Sequence, residues 1–534
     1  LLVETPSPRV NDGPPSKLLG TCLAATSLSR PEAMLLVGAI CGVCVLLRLR
    51  NRDVRAAAWW AAPLGAPSLW LLANKIFAGN FMPNTGVAKS YFYMPGFDWT
   101  FWWNAVTSQT GKMIKALFVD DGGPFTWPRL ILFAWLIGSV RVIAWARRDK
   151  RWLAGVTLVV APLAMMLAVN ASSGSWELHE YRYIAPAFPL IAMTAACGLA
   201  PIRLATEARD QRRIERGWSG VLAFAMLALG YDAYPRVRDL VDLYAQDVVD
   251  LDSQVVTLGV YIHDHLPDAH IMYHDAGAIA YYGDRPVYDM LGLVTNHQAA
   301  VTNNGPGSRF EFLEDMAPED RPTHFAYYPG WMGQDEMYGD VVMHTPRPRQ
   351  RIGKLRSLIG GDDMELFVAN FDRVHTAERP ILPHPGWAMV DRVDIADLVS
   401  ERDHDWVGDL GRRKIGDPTA HWSVFSKQVG PEGLLLDGGR TIRGGERFTV
   451  ATDPDKPVRL LLRTGGARDY PYNETIDRPV DVTVNGQHVT IPTPAGKFVE
   501  MPIELPAPHA SQLDVVVEAA APYRAFHWFV LQPE

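Results

Sequence analysis

Between residues 18 and 235 the apolar positions run in long unbroken stretches, at about 18–29, 33–49, 56–76, 128–146, 152–171, 184–202 and 218–235. All but the first are near the ~20 residues needed to span ~30 Å of hydrocarbon. Arg-rich hinges follow the first, third and fifth full stretches, at 48–55, 147–151 and 203–216. The intervening loops, 77–127 and 172–183, carry few basic residues. Because Lys and Arg collect on the cytoplasmic side of spans, this alternation predicts hinges inside and loops outside. The chain beyond Pro235 is then expected on the outer face of the membrane.

From about residue 236 the pattern changes. Val237, Leu240, Val241, Tyr244, Val248 and Leu251 recur at helical spacing among acids. Residues 269–273, 286–289 and 325–328 read as strands between helices, which predicts a small α/β layer over 236–400. Later runs such as 447–451, 458–463, 480–484 and 513–518 alternate or stay apolar between Gly, Pro and Asn turns. Asn485-Gly486 is a hairpin signal, and strands at this spacing predict a β-sandwich over 401–534. The expected fold is an irregular segment 1–17, a polytopic α-helical membrane domain over 18–235, an exported α/β domain and a C-terminal β-sandwich.

Charge sharpens the division. Residues 1–234 carry 23 basic and 14 acidic side chains, a net of +9, whereas the remainder carries −17. An acidic exported half excludes nucleic acid as partner, since phosphate backbones need a basic surface. The four cysteines, Cys22, Cys41, Cys44 and Cys197, all fall in apolar stretches. The half beyond 235 therefore holds together without disulfides, although an exported location would permit them.

Three short stretches share the predicted outer side: Ser29-Arg30-Pro31-Glu32, Gly79 to Lys89, and His179-Glu180-Tyr181-Arg182-Tyr183-Ile184-Ala185-Pro186. In this order and spacing they resemble the GT-C superfamily of membrane glycosyltransferases, nearest to the terminal arabinofuranosyltransferases of mycobacterial cell walls. Pro83-Asn84-Thr85-Gly86-Val87-Ala88-Lys89 is similar to the Pro-(Asn/Ser)-Thr-x-x-Ala-Lys of that group. The resemblance implies a GT-C-like fold over ~20–235 and transfer of a sugar from a polyprenyl-phosphate donor to an envelope glycan or lipid-linked acceptor. It also implies a catalytic aspartate in a first outer loop. Ahead of Arg30 stand only Glu4 and Asp12, in a Pro-rich stretch. The expectation is that a longer chain supplies the base or that this version is inactive.

Such chemistry needs fixed positive charge for a departing phosphate. Lys89 and Arg182 are the candidate phosphate-binding cations, with Asn84 and Thr85 as neutral donors and a divalent cation (Mg or Mn) as a conceivable helper. Arg30, Glu32, His179, Glu180 and Tyr181 would line the site. Each has a plainer reading: Lys89 as a snorkelling anchor, Arg182 as an interfacial residue between tyrosines, Arg30 and Glu32 as a local ion pair. Asp120 and Asp121, the acidic pair of the outer loops, are a weak substitute base and read first as a turn.

In the exported half, Asp275 and Asp289 are expected near strand ends, where α/β sheets bind ligands, with helix capping favoured for Asp275. His263, His265 and His274 lack the matching cluster that a closed metal site requires and read as surface histidines. Trp422, Tyr470, Tyr472, His527 and Trp528 are candidates for stacking on sugar. The alternative function is a membrane-anchored glycan-binding or assembly protein without chemistry.

Overall fold

The computed structural model describes residues 16–95, 97–118, 129–148, 155–174, 181–200, 208–352, 355–410, 423–430, 433–465, 469–470, 479–484, 486–492, 497–520 and 522–534. The chain enters its first helix at Ser16, whose hydroxyl accepts the Leu19 amide at 3.2 Å and starts Lys17–Ser29. Pro31 then opens Pro31–Arg50 at a position where its missing N–H costs nothing. Leu36 and Ile40 of that helix pack with Met113 and Leu117 of Trp99–Phe118, and with Met165 and Val169 of Ala161–Ser172. Helices Arg129–Arg148 and Phe188–Leu199 approach backbone to backbone. A Cβ at Gly138 would overlap the Thr194 carbonyl, and one at Gly198 the Ala134 carbonyl. Only glycine permits so close a crossing.

The expected polytopic membrane domain is not what forms. Among the described residues two helices are long and apolar enough to cross a membrane, Pro31–Arg50 and Leu130–Arg148. The other predicted spans fail for local reasons. The stretch 56–76 breaks at Pro63, where the short 3-10 turn Ala62–Leu64 separates Val54–Ala61 from Gly65–Ala78. A proline ring removes an interior hydrogen bond and clashes with the preceding turn. In the stretch 152–171 the described apolar helix is Val156–Ser172, which includes a π turn at Val156–Val160 and falls among the shorter ones. The stretch 184–202 yields a 3-10 turn at Ala185–Ala187 and the 12-residue helix Phe188–Leu199. The stretch 218–235 lies inside Ala208–Leu251, a 44-residue helix that runs on through Pro235 into polar sequence. The alternating inside–outside order inferred from the hinges falls with the spans.

Beyond that helix the chain passes a π turn and Thr257–His265 into a five-stranded sheet. Its strands are β1 (Ile271–Tyr273), β2 (Val287–Asp289), β3 (His324–Tyr327), β4 (Tyr338–Pro346) and, after a small ribbon of β5 (Arg351–Ile352) and β6 (Leu355–Arg356), β7 (Asp363–Ala369). The order is β2-β1-β3-β7-β4. β1 is parallel to both β2 and β3, while β7 runs antiparallel to β3 and β4. One face packs Val255, Leu258, Ile262 and Ile279. The other packs Phe310 and Leu313 of helix Pro306–Glu314 together with Phe425 and Leu436 of the following unit.

That unit is an antiparallel β-sandwich. Its strands are β8 (Trp387–Asp394), β9 (Val407–Gly408), β10 (Val424–Gly430), β11 (Gly433–Ile442), β12 (Gly445–Ala451), β13 (Val458–Thr464), β14 (Asp469–Tyr470), β15 (Val480–Val484), β16 (Gln487–Ile491), β17 (Val499–Leu505), β18 (Gln512–Glu518), β19 (Tyr523–Ala525) and β20 (His527–Pro533). Sheets β16-β15-β18-β12-β9 and β17-β13-β20-β8 enclose a core of Phe448, Leu460, Val482, Val515 and Trp528. The alternation of β18, one residue in and one out, shows why the period-2 pattern forms a sheet with one buried face. β15 and β16 form the expected hairpin, with Val484 opposite Gln487 and Gly486 at φ +76°; Asn485 lies outside the described residues. β8 already belongs to the sandwich, so its strands begin ahead of residue 401.

A buried polar network joins the two units. Arg463 pairs with Asp437 and Glu500, each at 2.8 Å. His527 lies 3.2 Å from both Asp394 and Asp437. Glu311 accepts the Gly438 amide at 2.7 Å.

Candidate anion-binding site

Gly79 (φ +78°) ends helix Gly65–Ala78, and the chain turns through Pro83 into the short helix Asn84–Lys89. Val87 is that helix's buried anchor, which fixes the half-exposed Lys89 at its C-terminal end. The second element is a tight turn at Tyr181, held in the left-handed region (φ +62°) and closed by the Ile184 amide donating to the Tyr181 carbonyl at 3.0 Å. That turn puts Arg182 outward and Tyr183 inward.

The two elements meet on one oxygen. Lys89 Nζ donates to Tyr183 Oη at 3.0 Å, and Arg182 Nη2 donates to the same atom at 3.0 Å. Both cations also lie over the Tyr183 ring, 5.5 and 5.0 Å from its centroid. Burial works to raise the Tyr183 phenol, but hydrogen bonds and charge from Arg182 and Lys89 outweigh it and hold its pKa below the ordinary tyrosine value. An ammonium has three donors and a guanidinium five, so one bond each to Tyr183 leaves donors for an anion. Two like charges at one point repel, and a phosphate between them relieves that cost.

The other expected residues distribute as follows. Asn84 donates to the Asn296 Oδ1 at 2.8 Å, joining the helical part to the α/β unit. Thr85 is exposed. Arg30 and Glu32 form a local ion pair at 3.5 Å. Tyr181 serves through its backbone turn and packs against the helical core. His179, Glu180, Asp120 and Asp121 lie outside the described residues. Tyr183 and Asn296 were not singled out from the sequence. Tyr183 stood inside the quoted Tyr-Arg-Tyr stretch, whereas nothing local marks Asn296.

Asp289 stands at the end of β2, fully buried. Its carboxylate accepts the amides of Leu291 at 2.9 Å, Leu293 at 2.6 Å and Val294 at 2.9 Å. Burial raises its pKa and these amides oppose the rise. It is the organiser of the loop that presents Asn296. Asp275 follows β1, but the N-cap of helix Ala278–Gly283 is Gly277, without a side-chain cap, so the expected capping role does not hold. His263 and His265 are exposed as expected, whereas His274 is buried.

Two of the expected sugar-stacking side chains, Trp528 and His527, are core instead. Trp528 is fully buried and donates to Glu446 at 3.0 Å; His527 is fully buried in the network above. Trp422, Tyr472 and the side chain of Tyr470 lie outside the described residues. Alternation fixes which residues share a face but not which face meets solvent.

Among the described residues the group nearest to a metal-ligand set is Glu314, His375 and Glu378. It does not fit a cation as arranged. Arg321 donates to His375 Nε2 at 2.8 Å, which leaves the proton on Nδ1, 2.5 Å from Glu378. The imidazole faces the carboxylates as a donor, not as a lone pair.

A family model described as a domain of unknown function (DUF8728) matches residues 238–409, the α/β unit and the start of the sandwich. No curated protein matches the chain. Similar solved structures include a family 35 carbohydrate binding module from Clostridium thermocellum, at 16% identity and TM-score 0.16, covering 20% of this chain and 87% of that one. Another is the exo-beta-1,3-galactanase from Phanerochaete chrysosporium, at 12% identity and TM-score 0.18, covering 32% and 38%. A third is the C-terminal CBM6 of a Zobellia galactanivorans laminarinase, at 11% identity and TM-score 0.15, covering 20% and 87%. Scores this low leave the functional reading to the chain's own residues.

Proposed function

We propose that the protein is a membrane-anchored glycan-binding or assembly component of the bacterial envelope that holds a polyprenyl-phosphate-linked sugar by its phosphate. The observation that carries this reading is the convergence of Lys89 and Arg182 on Tyr183 Oη, each at 3.0 Å. A second feature supports a membrane surface as the cations' setting. The chain following Lys89 builds a run of ring contacts through Phe92, Phe97, Trp99, Trp102 and Trp103. Trp99 is 68% exposed and Trp103 61%. Exposed indoles settle at headgroup level, where a polyprenyl carrier holds its phosphate. Helices Pro31–Arg50 and Leu130–Arg148 serve as the anchor in this reading.

The test is co-sedimentation of a polyprenyl-phosphate pentose with the protein in lipid nanodiscs, against the same lipid without its phosphate. Retention that depends on the phosphate supports the reading; equal retention of both lipids overturns it. Glycosyl transfer at this site is a second proposal, motivated by the Pro83–Lys89 motif. Adding an envelope oligosaccharide acceptor to the same nanodiscs and following product formation separates the transferase from the binder.

A further inference from the structure

The parallel strands end in a cluster of buried polar groups that the anion site does not use. β1 and β3 are parallel neighbours, and the chain leaves β1 toward β2 on one side and β3 toward β4 on the other. Crevices at such switch points, outside the carboxyl ends of the strands, are where open α/β sheets bind ligands. His274 follows directly on β1 and is 3% exposed, and neither ring nitrogen has a hydrogen-bond partner among the described residues. Tyr327, the last residue of β3, is fully buried with its hydroxyl equally unpartnered. The His274 and Tyr327 rings stand 5.4 Å apart. Gln334 is fully buried with both amide atoms unpartnered. It sits in the chain between Met332 and Met337, which share one packed cluster with Tyr327.

Leaving so many buried donors and acceptors unmade costs ~1–3 kcal/mol each. A ligand or ordered water must therefore satisfy them. The rim distinguishes the two. Trp331 is 47% exposed, and its ring lies 5.1 Å from His274 and 4.9 Å from Tyr328. Gly360 packs against it so closely that a Cβ there would collide with both the Trp331 and Tyr328 rings. A held, half-exposed indole beside unspent hydroxyl and imidazole groups is the combination that takes a sugar: the ring stacks and the hydroxyls bond. Burial lowers the His274 pKa to about 4, so at neutral pH the imidazole is uncharged and offers one donor and one acceptor. Asp289 acts on Tyr327 and Asp275 on Tyr328, and the buried Arg309 acts on Tyr327 in the opposite sense, so the crevice carries no dominant charge of one sign and suits a neutral ligand.

We infer that the crevice formed by His274, Tyr327 and Trp331 is a binding subsite for a neutral sugar residue. The inference rests on the glycan half of the proposed function, not on the carrier phosphate. Loss of free-glycoside binding with carrier binding intact would remove the subsite alone. The test uses the full chain in nanodiscs with methyl α-D-mannopyranoside, methyl α-D-arabinofuranoside and, as the anionic control, methyl α-D-glucuronide. Saturation-transfer NMR and tryptophan fluorescence are the readouts.

Wild-type protein is expected to bind at least one neutral glycoside and to discriminate against the glucuronide. Trp331→Ala at the rim and His274→Phe, which keeps a ring in place without its nitrogens, should each weaken binding by about tenfold, or ~1.4 kcal/mol. Circular dichroism and carrier-phosphate retention report folding; if His274→Phe does not fold, Trp331→Ala decides. Absence of signal from both neutral glycosides would mean that water fills the crevice and would overturn the inference. So would preference for the glucuronide, or unchanged binding in Trp331→Ala.

Discussion

At the scale of single residues, Lys89 and Arg182 stand out in the sequence as cations beside a Pro-Asn-Thr turn and between tyrosines. Their meeting point does not. Tyr183 and Lys89 are 94 positions apart, and no local pattern encodes which phenol will lie between two cations. Losing one charged hydrogen bond to phosphate costs about 1.5–3 kcal/mol. Lys89→Ala and Arg182→Ala should therefore each weaken carrier binding by roughly ten- to a hundredfold, measured by equilibrium retention in nanodiscs. Lys89→Arg should restore only part, because a planar fork does not replace a point charge. Mild effects from both alanine variants would reduce the pair to interfacial anchors. The protein itself supplies two positive charges, so chelating divalent cations with EDTA should leave carrier affinity within about twofold; in this picture a larger loss would signal a bridging metal.

At the scale of elements, strands and turns were more legible than spans. β1, β2 and β3 lie on short apolar runs bounded by Pro, Asp and Gly, where local propensity and burial agree. The membrane spans were over-read, because a window of apolar residues reports hydrophobicity but not helix continuity. Pro63 and the Tyr181 turn decide continuity, and they act through backbone geometry. Trp528 was misplaced for a related reason: the pattern of β20 is apolar on both faces, so exposure could not be assigned. Asp289 shows how an element is held by one side chain. Asp289→Ala would leave the amides of Leu291, Leu293 and Val294 without their acceptor. A loss of ~2–4 kcal/mol is expected, by the cost of unmade buried bonds. Denaturant unfolding measures it, and faster amide exchange across 290–297 would accompany it. A loss below the error of the measurement would mean that the loop stands without its carboxylate.

At the scale of the whole molecule, the α/β unit and the sandwich are joined by buried ionisable groups, and these make stability depend on pH. Burial lowers the His527 pKa, but Asp394 and Asp437 outweigh it and raise the value to about 10. Its stabilising contribution is complete below the unfolded histidine value and is lost as pH rises through the folded one. Glu314 is pushed up to about 8, first by burial and then by Asp394 and Asp437. A carboxyl with a raised folded pKa binds its proton more tightly when folded, so stability falls as pH rises from its unfolded value toward 8. Both groups act in the same direction above pH 6.5. The thermal midpoint should thus fall steadily between pH 6.5 and 9, and His527→Gln should flatten much of that slope. A midpoint that rises over this range would contradict the assignment of charges at the junction.

The most direct test of the central claim is a phosphorus NMR titration of polyprenyl-phosphate pentose in nanodiscs holding either the wild-type chain or the Lys89→Ala, Arg182→Ala double variant. The account predicts a saturable shift of the phosphate resonance with the wild type and none with a folded double variant. The same saturable shift in both would show that the phosphate is held elsewhere or by the lipid surface alone.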